Sequence, residues 1–198
     1  MPADKRPALA ELPGFPVLVG QRLRLRGPRA QDVDDVFALF SHPGVMRYWS
    51  SAPMRARAQA DGKIGEMLES FERRVALDWL IAGRTDDRAI GSCTLYRFDF
   101  RHRHAEIGYA LHPDCWRRGL AREAVALALD WAFRSLDLHR IEADVDPRNE
   151  ASRGLLLALG FRSEGLLRQR FLVDGEAADS EVFGLLREEW RTDVARRR

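Results

Sequence analysis

Cysteine is scarce, with two in 198 residues. No disulfide framework can staple such a chain, and nothing in it reads as a zinc cluster, so a reducing cytoplasm is the expected home. Long apolar runs are missing too. The longest, Ala124 to Phe133, is interrupted by Asp130 and falls far short of the roughly 20 residues a spanning helix needs. The N-terminal stretch is broken by Pro2, Pro7 and Pro13 and has no apolar segment ahead of a small-residue cleavage site. A soluble protein with neither export signal nor membrane partner is therefore expected. Nor is there an excess of one charge: 32 Lys+Arg stand against 30 Asp+Glu, a formal +2. That balance gives no general pull toward nucleic acid or an acidic membrane, so any basic site must be local. Internal repeats and low-complexity segments are absent.

What is present suits a packed domain. The apolar share is 45% and the charged share 31%, enough for a real core and too ordered a composition for a disordered or collagen-like chain. The first 16 residues hold four of the nine prolines, so residues 1–17 read as an irregular lead-in. Residues 18–190 read as one domain, and residues 191–198 as a basic, solvated tail.

The local patterns alternate in period. Gln21 to Arg26 is a strand with Leu23 and Leu25 on one face and Arg22, Arg24 and Arg26 on the other. From Asp32, Val33, Val36, Phe37 and Phe40 keep helical spacing until His42-Pro43-Gly44 stops it. A second helix is predicted from about Arg55 to Val75. Ala76–Ala82 and Ala89–Phe98 read as a hairpin, and His104–Leu111 as a third strand. Gly119 to Leu136 returns to helical period through Ala121, Ala124, Val125, Ala128, Trp131 and Ala132. Ile141–Val145 is a short strand, and Asn149–Leu159 a helix with Gly160 as its left-handed stop. Leu166–Val173 and Glu181–Leu186 close the chain as a hairpin around Asp174-Gly175. The order β α α β β β α β α β β implies an α/β (α+β) domain, a mixed sheet with helices on both faces.

The chemistry concentrates at one strand–loop–helix junction, His112-Pro113-Asp114-Cys115-Trp116-Arg117-Arg118-Gly119-Leu120-Ala121-Arg122. A helix start offers unpaired N–H groups and partial positive charge, which suit a phosphate. Gly119 and Ala121 let an anion approach the backbone closely, and Arg117, Arg118 and Arg122 add positive charge at the rim. No Lys-Ser/Thr pair follows a glycine at P-loop spacing, so magnesium–nucleotide hydrolysis is not favoured. Taken alone, the same stretch is equally an ordinary helix start with an exposed basic side. Downstream come Asp146-Pro147-Arg148-Asn149-Glu150-Ala151-Ser152 and a short leucine-rich helix ending Leu159-Gly160-Phe161.

Taken together, these pieces resemble the GNAT acyltransferases, and within them the ribosomal-protein N-terminal acetyltransferase (RimJ/RimL-like) branch. The resemblance runs nearly end to end. It is carried by Arg22-Leu23-Arg24-Leu25-Arg26, His42-Pro43 with Val45 to Trp49, Ala89-Ile90-Gly91, Ala105 to Tyr109, Trp116 to Ala121, Asn149 with Ser152, Gly160-Phe161 and Glu189-Trp190. Trp116 departs from the Gln or Arg that opens the pyrophosphate motif in the wider family, which leaves a cradle made of backbone N–H groups intact. The resemblance implies a GNAT fold: a central, mostly antiparallel sheet in which one parallel pair, His104–Leu111 and Ile141–Val145, splays to admit acetyl-CoA as cosubstrate. It also assigns roles. Leu111 would pair its backbone with the pantetheine arm. Arg117, Arg118, Gly119, Leu120, Ala121 and Arg122 would hold the pyrophosphate. Asn149 would touch the pantetheine, and Ser152 would lie near the sulfur.

The implied activity is transfer of an acetyl group to a primary amine, a protein N-terminus or a small molecule, by direct attack within a ternary complex. At pH 7 an α-amino group of pKa about 8 is about a tenth neutral, whereas a lysine is neutral in under a thousandth of molecules, so a base helps. Glu106, beside the expected thioester, is the candidate base, directly or through water; its plainer reading is a solvent-facing strand carboxylate. A backbone N–H near Leu111 is the candidate oxyanion donor. Ser152 is the candidate proton donor to the departing thiolate, and Asn149 and Ser152 also make a good helix cap.

His102 and His104 lack a carboxylate or cysteine partner at ligand spacing, so no metal is expected, and the His-x-x-x-Asp pattern of another CoA acyltransferase class is missing. Cys115, beside two arginines, would be a covalent carrier if its thiol pKa were lowered; the family's ternary-complex chemistry makes it incidental. Tyr48, Tyr96 and Tyr109 read first as packing residues, with Tyr48 and Trp49 also candidate walls of the acceptor pocket and the Arg55–Val75 helix framing it. A non-catalytic CoA-binding module on the same scaffold is the rival reading, and the charge balance counts against nucleic-acid binding through the arginines. By analogy the assembly suggested is a homodimer, through the C-terminal hairpin or the helical lead.

Overall fold

The computed structural model describes residues 9–190. The first eight residues of the expected lead-in and the expected tail, 191–198, lie outside the described residues. In chain order the elements are β1 (Leu18–Val19), β2 (Leu23–Arg26), α1 (Val33–Ser41), α2 (Pro43–Met46), α3 (Arg57–Glu72), β3 (Leu77–Gly83), β4 (Ala89–Asp99) and β5 (His104–Leu111), followed by α4 (Leu120–Ser135), β6 (Arg140–Val145), α5 (Glu150–Ala158), β7 (Arg162–Val173) and β8 (Glu176–Leu186). Eight strands form one sheet in the order β1-β2-β3-β4-β5-β6-β8-β7. Every neighbouring pair is antiparallel except β5 with β6. This is the mixed, mostly antiparallel sheet that the resemblance implies.

Strand alternation sorts the side chains onto two cores. Leu23, Leu25, Trp79, Ile81, Cys93, Leu95, Ala105 and Ile107 pack on one face, under the Ala124, Val125, Ala128, Leu129, Ala132 and Phe133 stripe of α4. Leu80 and Ala110 point to the other face, against Val36 and Phe40 of α1 and Ile64 and Met67 of α3. Helices thus cover both faces. Residues 9–16 are drawn into the first core: Leu9 is buried there, and the Phe15 ring lies 4.8 Å from Phe71. The Trp79 indole donates to the Pro16 carbonyl at 2.8 Å.

Local punctuation falls where the sequence puts it. Gly119 caps α4 at φ +73°, Asn149 caps α5, and Gly160 follows α5 at φ +94°. Asp174 and Gly175, at φ +51° and +86°, make the two-residue hairpin turn. Two expectations change. His42-Pro43-Gly44 ends α1 but also starts α2, with His42 Nδ1 accepting the Gly44 N–H at 3.1 Å and Pro43 opening the helix. The closing hairpin is longer than its alternation suggests, because β7 is an edge strand exposed over most of its length. Register shifts near Gly165 and Gln169 (φ +52°) break its period of two. Among the described residues no helix is long and apolar enough to cross a membrane.

Candidate active site

The parallel pair is short. His104, Ala105 and Glu106 register with Arg140, Ile141 and Glu142, and beyond them β5 and β6 part. The β6-facing edge of β5 from Ile107 to Leu111 therefore has no strand partner, and the first turn of α5 meets this opening through a contact from Ser152 to Tyr109 on β5. Trp116 donates its indole N–H to the Leu111 carbonyl at 2.6 Å, so the residue that departs from the family motif ties the turn to the end of the open strand.

The turn itself is built from two left-handed residues, Arg117 at φ +57° and Gly119 at φ +73°. The Cys115 and Trp116 amides are used locally, donating to His112 and Pro113 carbonyls, and Glu123 donates to the Gly119 carbonyl. Among the described residues, the amides of Arg117, Arg118, Gly119, Leu120, Ala121 and Arg122 have no protein acceptor. Successive outward amides at a helix start form an anion-binding concavity. The side chains of Arg117, Arg118 and Arg122 are exposed around it. From behind, Arg22 braces the turn: its Nη1 donates to the Arg118 carbonyl at 2.7 Å and its Nε to Glu123 Oε2 at 2.8 Å.

Next to the opening lies a cavity of about 680 Å³. Tyr109, Asn149 and Ser152 line it, as do Tyr48 and Trp49, the expected wall residues. A further part of the lining, which the sequence did not disclose, comes from the β7–β8 hairpin and carries Glu176 and Asp179. The expected framing by α3 is not found; the lining near it stops at Pro53, because α3 packs on α1 and β3.

Ser152 Oγ is 2.7 Å from the Tyr109 hydroxyl, and the Ser152 N–H donates to Asn149 Oδ1 at 3.1 Å. The helix-cap reading of Asn149 and Ser152 is therefore realised, and both residues also line the cavity. Tyr109 packs against the core as read from sequence, and its hydroxyl also meets Ser152 at the cavity. Burial holds its pKa above the ordinary phenol range, against the pull of the Ser152 hydrogen bond.

Glu106 sits apart from this group. It is 9% exposed, and both carboxylate oxygens lie 3.1 Å from Arg97 Nη1. Arg97 lines the cavity and Glu106 does not. A carboxylate that does line it, missed in the sequence, is Asp144, which accepts from Ser180 Oγ at 3.1 Å and lies 3.3 Å from Arg170 Nε. Its only sequence signal was its place one residue before the end of the short strand β6. Cys115 is not the activated thiol its arginine neighbours suggested: burial raises its pKa and outweighs Arg118. His102 pairs with Asp99 at 2.9 Å, and hydrogen bonds from His102 pull that carboxyl down to about 2.

A family profile described as acetyltransferase (GNAT) domain matches residues 22–162. Among curated proteins, an uncharacterized N-acetyltransferase, YoaA, of Bacillus subtilis (strain 168) is 36% identical over 87% of this chain and 98% of its own length. Spermidine N(1)-acetyltransferase of Escherichia coli (strain K12) is 29% identical over 78% of this chain and 80% of its own. Among solved structures, Mycobacterium smegmatis RimJ in complex with CoA-disulfide superposes with a TM-score of 0.82 at 25% identity, covering 93% of this chain and 96% of that one. With an open parallel strand pair, a free-amide turn and these relatives, the chain belongs to the GNAT family of N-acetyltransferases.

Proposed function

We propose that this protein transfers the acetyl group of acetyl-CoA to the primary amine of a small molecule or a peptide N-terminus, within a ternary complex. One observation carries the reading: the unpaired amides of Arg117 to Arg122 stand beside an open strand edge that leads to the Tyr109–Ser152 pair. In this reading the diphosphate sits on the amides and the Arg117, Arg118 and Arg122 side chains neutralise it. The pantetheine arm runs along Ile107 to Leu111 as an added strand, touching Asn149 on its other side.

The amine nitrogen attacks the thioester carbonyl carbon, the developing oxyanion takes a backbone N–H of the open β5 edge, and the C–S bond breaks. The departing thiolate takes a hydrogen bond from the Ser152 hydroxyl, which the Tyr109 hydroxyl 2.7 Å away orients, and it leaves as the thiol after taking a proton from solvent. The proton lost by the amine travels through water to one of two carboxylates. Glu106, the candidate from its place on the strand beside the expected thioester, is held by Arg97, which lines the cavity, and Asp144 lines the cavity itself.

The acceptor wall supports a cationic amine. Asp144, Glu176 and Asp179 line the cavity, and the Escherichia coli relative is named for spermidine. A thiol-release screen with acetyl-CoA against polyamines, N-terminal peptides, aminoglycosides and amino acids tests the reading. CoA release above the acceptor-free rate is expected. Calorimetry showing no CoA binding at millimolar ligand would refute it, and binding without turnover on any amine would favour a non-catalytic CoA-binding module.

A further inference from the structure

Arg22 is 96 residues distant in sequence from the turn it braces, and 51% of its side chain is exposed. Its contacts are nevertheless specific. The main-chain N–H and Nε of Arg22 donate to the two oxygens of Glu123, at 2.9 and 2.8 Å, while Nη1 donates to the Arg118 carbonyl at 2.7 Å. Glu123 is fixed in turn by the backbone around it: a Cβ on Gly20 would lie 2.6 Å from Glu123 Oε1, so only glycine leaves that space. Burial works to raise the Glu123 pKa, but the amide and guanidinium of Arg22 and the amide of Gln21 outweigh it, and the group stays ionised.

We infer that Arg22 is a positioning residue for the diphosphate, acting by fixing which way the Arg118–Gly119 peptide faces. The reasoning rests on peptide geometry. In a planar trans peptide the carbonyl and the following N–H point in opposite directions, and no peptide in the described residues is cis. Holding the Arg118 oxygen against Arg22 therefore turns the Gly119 N–H away from β2. Gly119 has no Cβ, so its φ crosses between signs at little cost, and this peptide is the one in the turn that could flip cheaply. A flipped peptide would present a carbonyl oxygen to an anion instead of a donor. Arg22 removes that alternative with a charge-assisted hydrogen bond, and its planar fork suits two acceptors at once, as a lysine would not.

This role rests on the acetyl-CoA reading above, and the test separates the two. Titration calorimetry compares CoA with pantetheine, which lacks the diphosphate, on the wild type and on Arg22→Met, Arg22→Lys and Glu123→Gln. Arg22→Met is expected to weaken CoA by about tenfold and pantetheine by less than about twofold, with Lys recovering only part of the loss. Glu123→Gln, which keeps its shape, is expected to lose CoA affinity in the same selective way. Should Arg22→Met fail to fold, the Lys and Gln variants carry the same comparison. Equal losses for both ligands, or undiminished CoA binding in the variants, would overturn the role of Arg22 while leaving the acetyl-CoA reading standing. A wild type that fails to bind CoA would bring down both.

Discussion

The Tyr109 hydroxyl and Ser152 Oγ meet at 2.7 Å across the gap where β5 and β6 part, joining the open strand to the first turn of α5. Asn149 fixes the serine from the other side through the helix cap. Tyr109 and Ser152 both line the cavity. Each hydroxyl is the hydrogen-bond partner of the other, which couples them.

That coupling predicts non-additive kinetics. Tyr109→Phe and Ser152→Ala each lower kcat by a factor on the order of ten to a hundred, and the double variant is no slower than the worse single. Steady-state CoA release with the best acceptor from the screen measures this. Fully multiplicative losses would show that the two hydroxyls work separately.

Glycine substitutions separate the turn from ordinary helix. Gly119→Ala forces a Cβ onto a residue at φ +73° and is expected to cost about 1–2 kcal/mol. Gly62→Ala, on the exposed face of α3 with nothing near its would-be Cβ, gains about 0.5–1 kcal/mol. Thermal melts should therefore move in opposite directions for the same chemical change.

Asp32 tests the buried ion pair behind the sheet. Arg26 and Asp32 are 3% and 5% exposed and joined by two hydrogen bonds, at 2.8 and 2.7 Å. Asp32→Ala leaves a buried guanidinium with only Asp87 as a charged partner and is expected to cost about 3–5 kcal/mol in denaturant unfolding. A loss under about 1 kcal/mol would mean that Asp87 takes over the pairing.

Asp78 gives a pH dependence of defined sign. Burial raises its pKa above the ordinary carboxylate range, against the Thr94 hydrogen bond and the Lys63 charge. The folded state then binds the proton more tightly than the unfolded one. Its contribution is favourable below the unfolded pKa and is lost as pH rises through the folded value. Asp78→Asn, which can keep the Thr94 contact at 2.9 Å, is expected to raise Tm at pH 8 and to lose that advantage at pH 3. Melts at the two pH values decide it, and an Asn variant less stable at pH 8 would contradict the assignment.

Much of the fold was legible because it is written in short-range pattern. Leu23 and Leu25 alternate, the α4 stripe recurs at helical spacing, and Gly119, Asn149, Gly160 and Asp174-Gly175 sit where caps and turns require them. The anion-binding turn was legible for the same reason, since it depends on consecutive amides and one left-handed glycine. The long edge strand β7 was only half visible: an exposed strand has no buried face to enforce alternation, and its bulges at Gly165 and Gln169 erase what remains.

The sequence by itself determined most of the elements, their caps and the run of amides from Arg117 to Arg122, which depend largely on residues within a turn or two of one another. Only the tertiary structure decided that Glu106 is held by Arg97, that Tyr109 reaches Ser152, that Arg22 braces Arg118 and that the β7–β8 hairpin walls the cavity. These partners stand 9, 43 and 96 residues apart in the first three cases. Contacts at such separations depend on where the sheet carries each side chain, and local periodicity fixes only which face it leaves from.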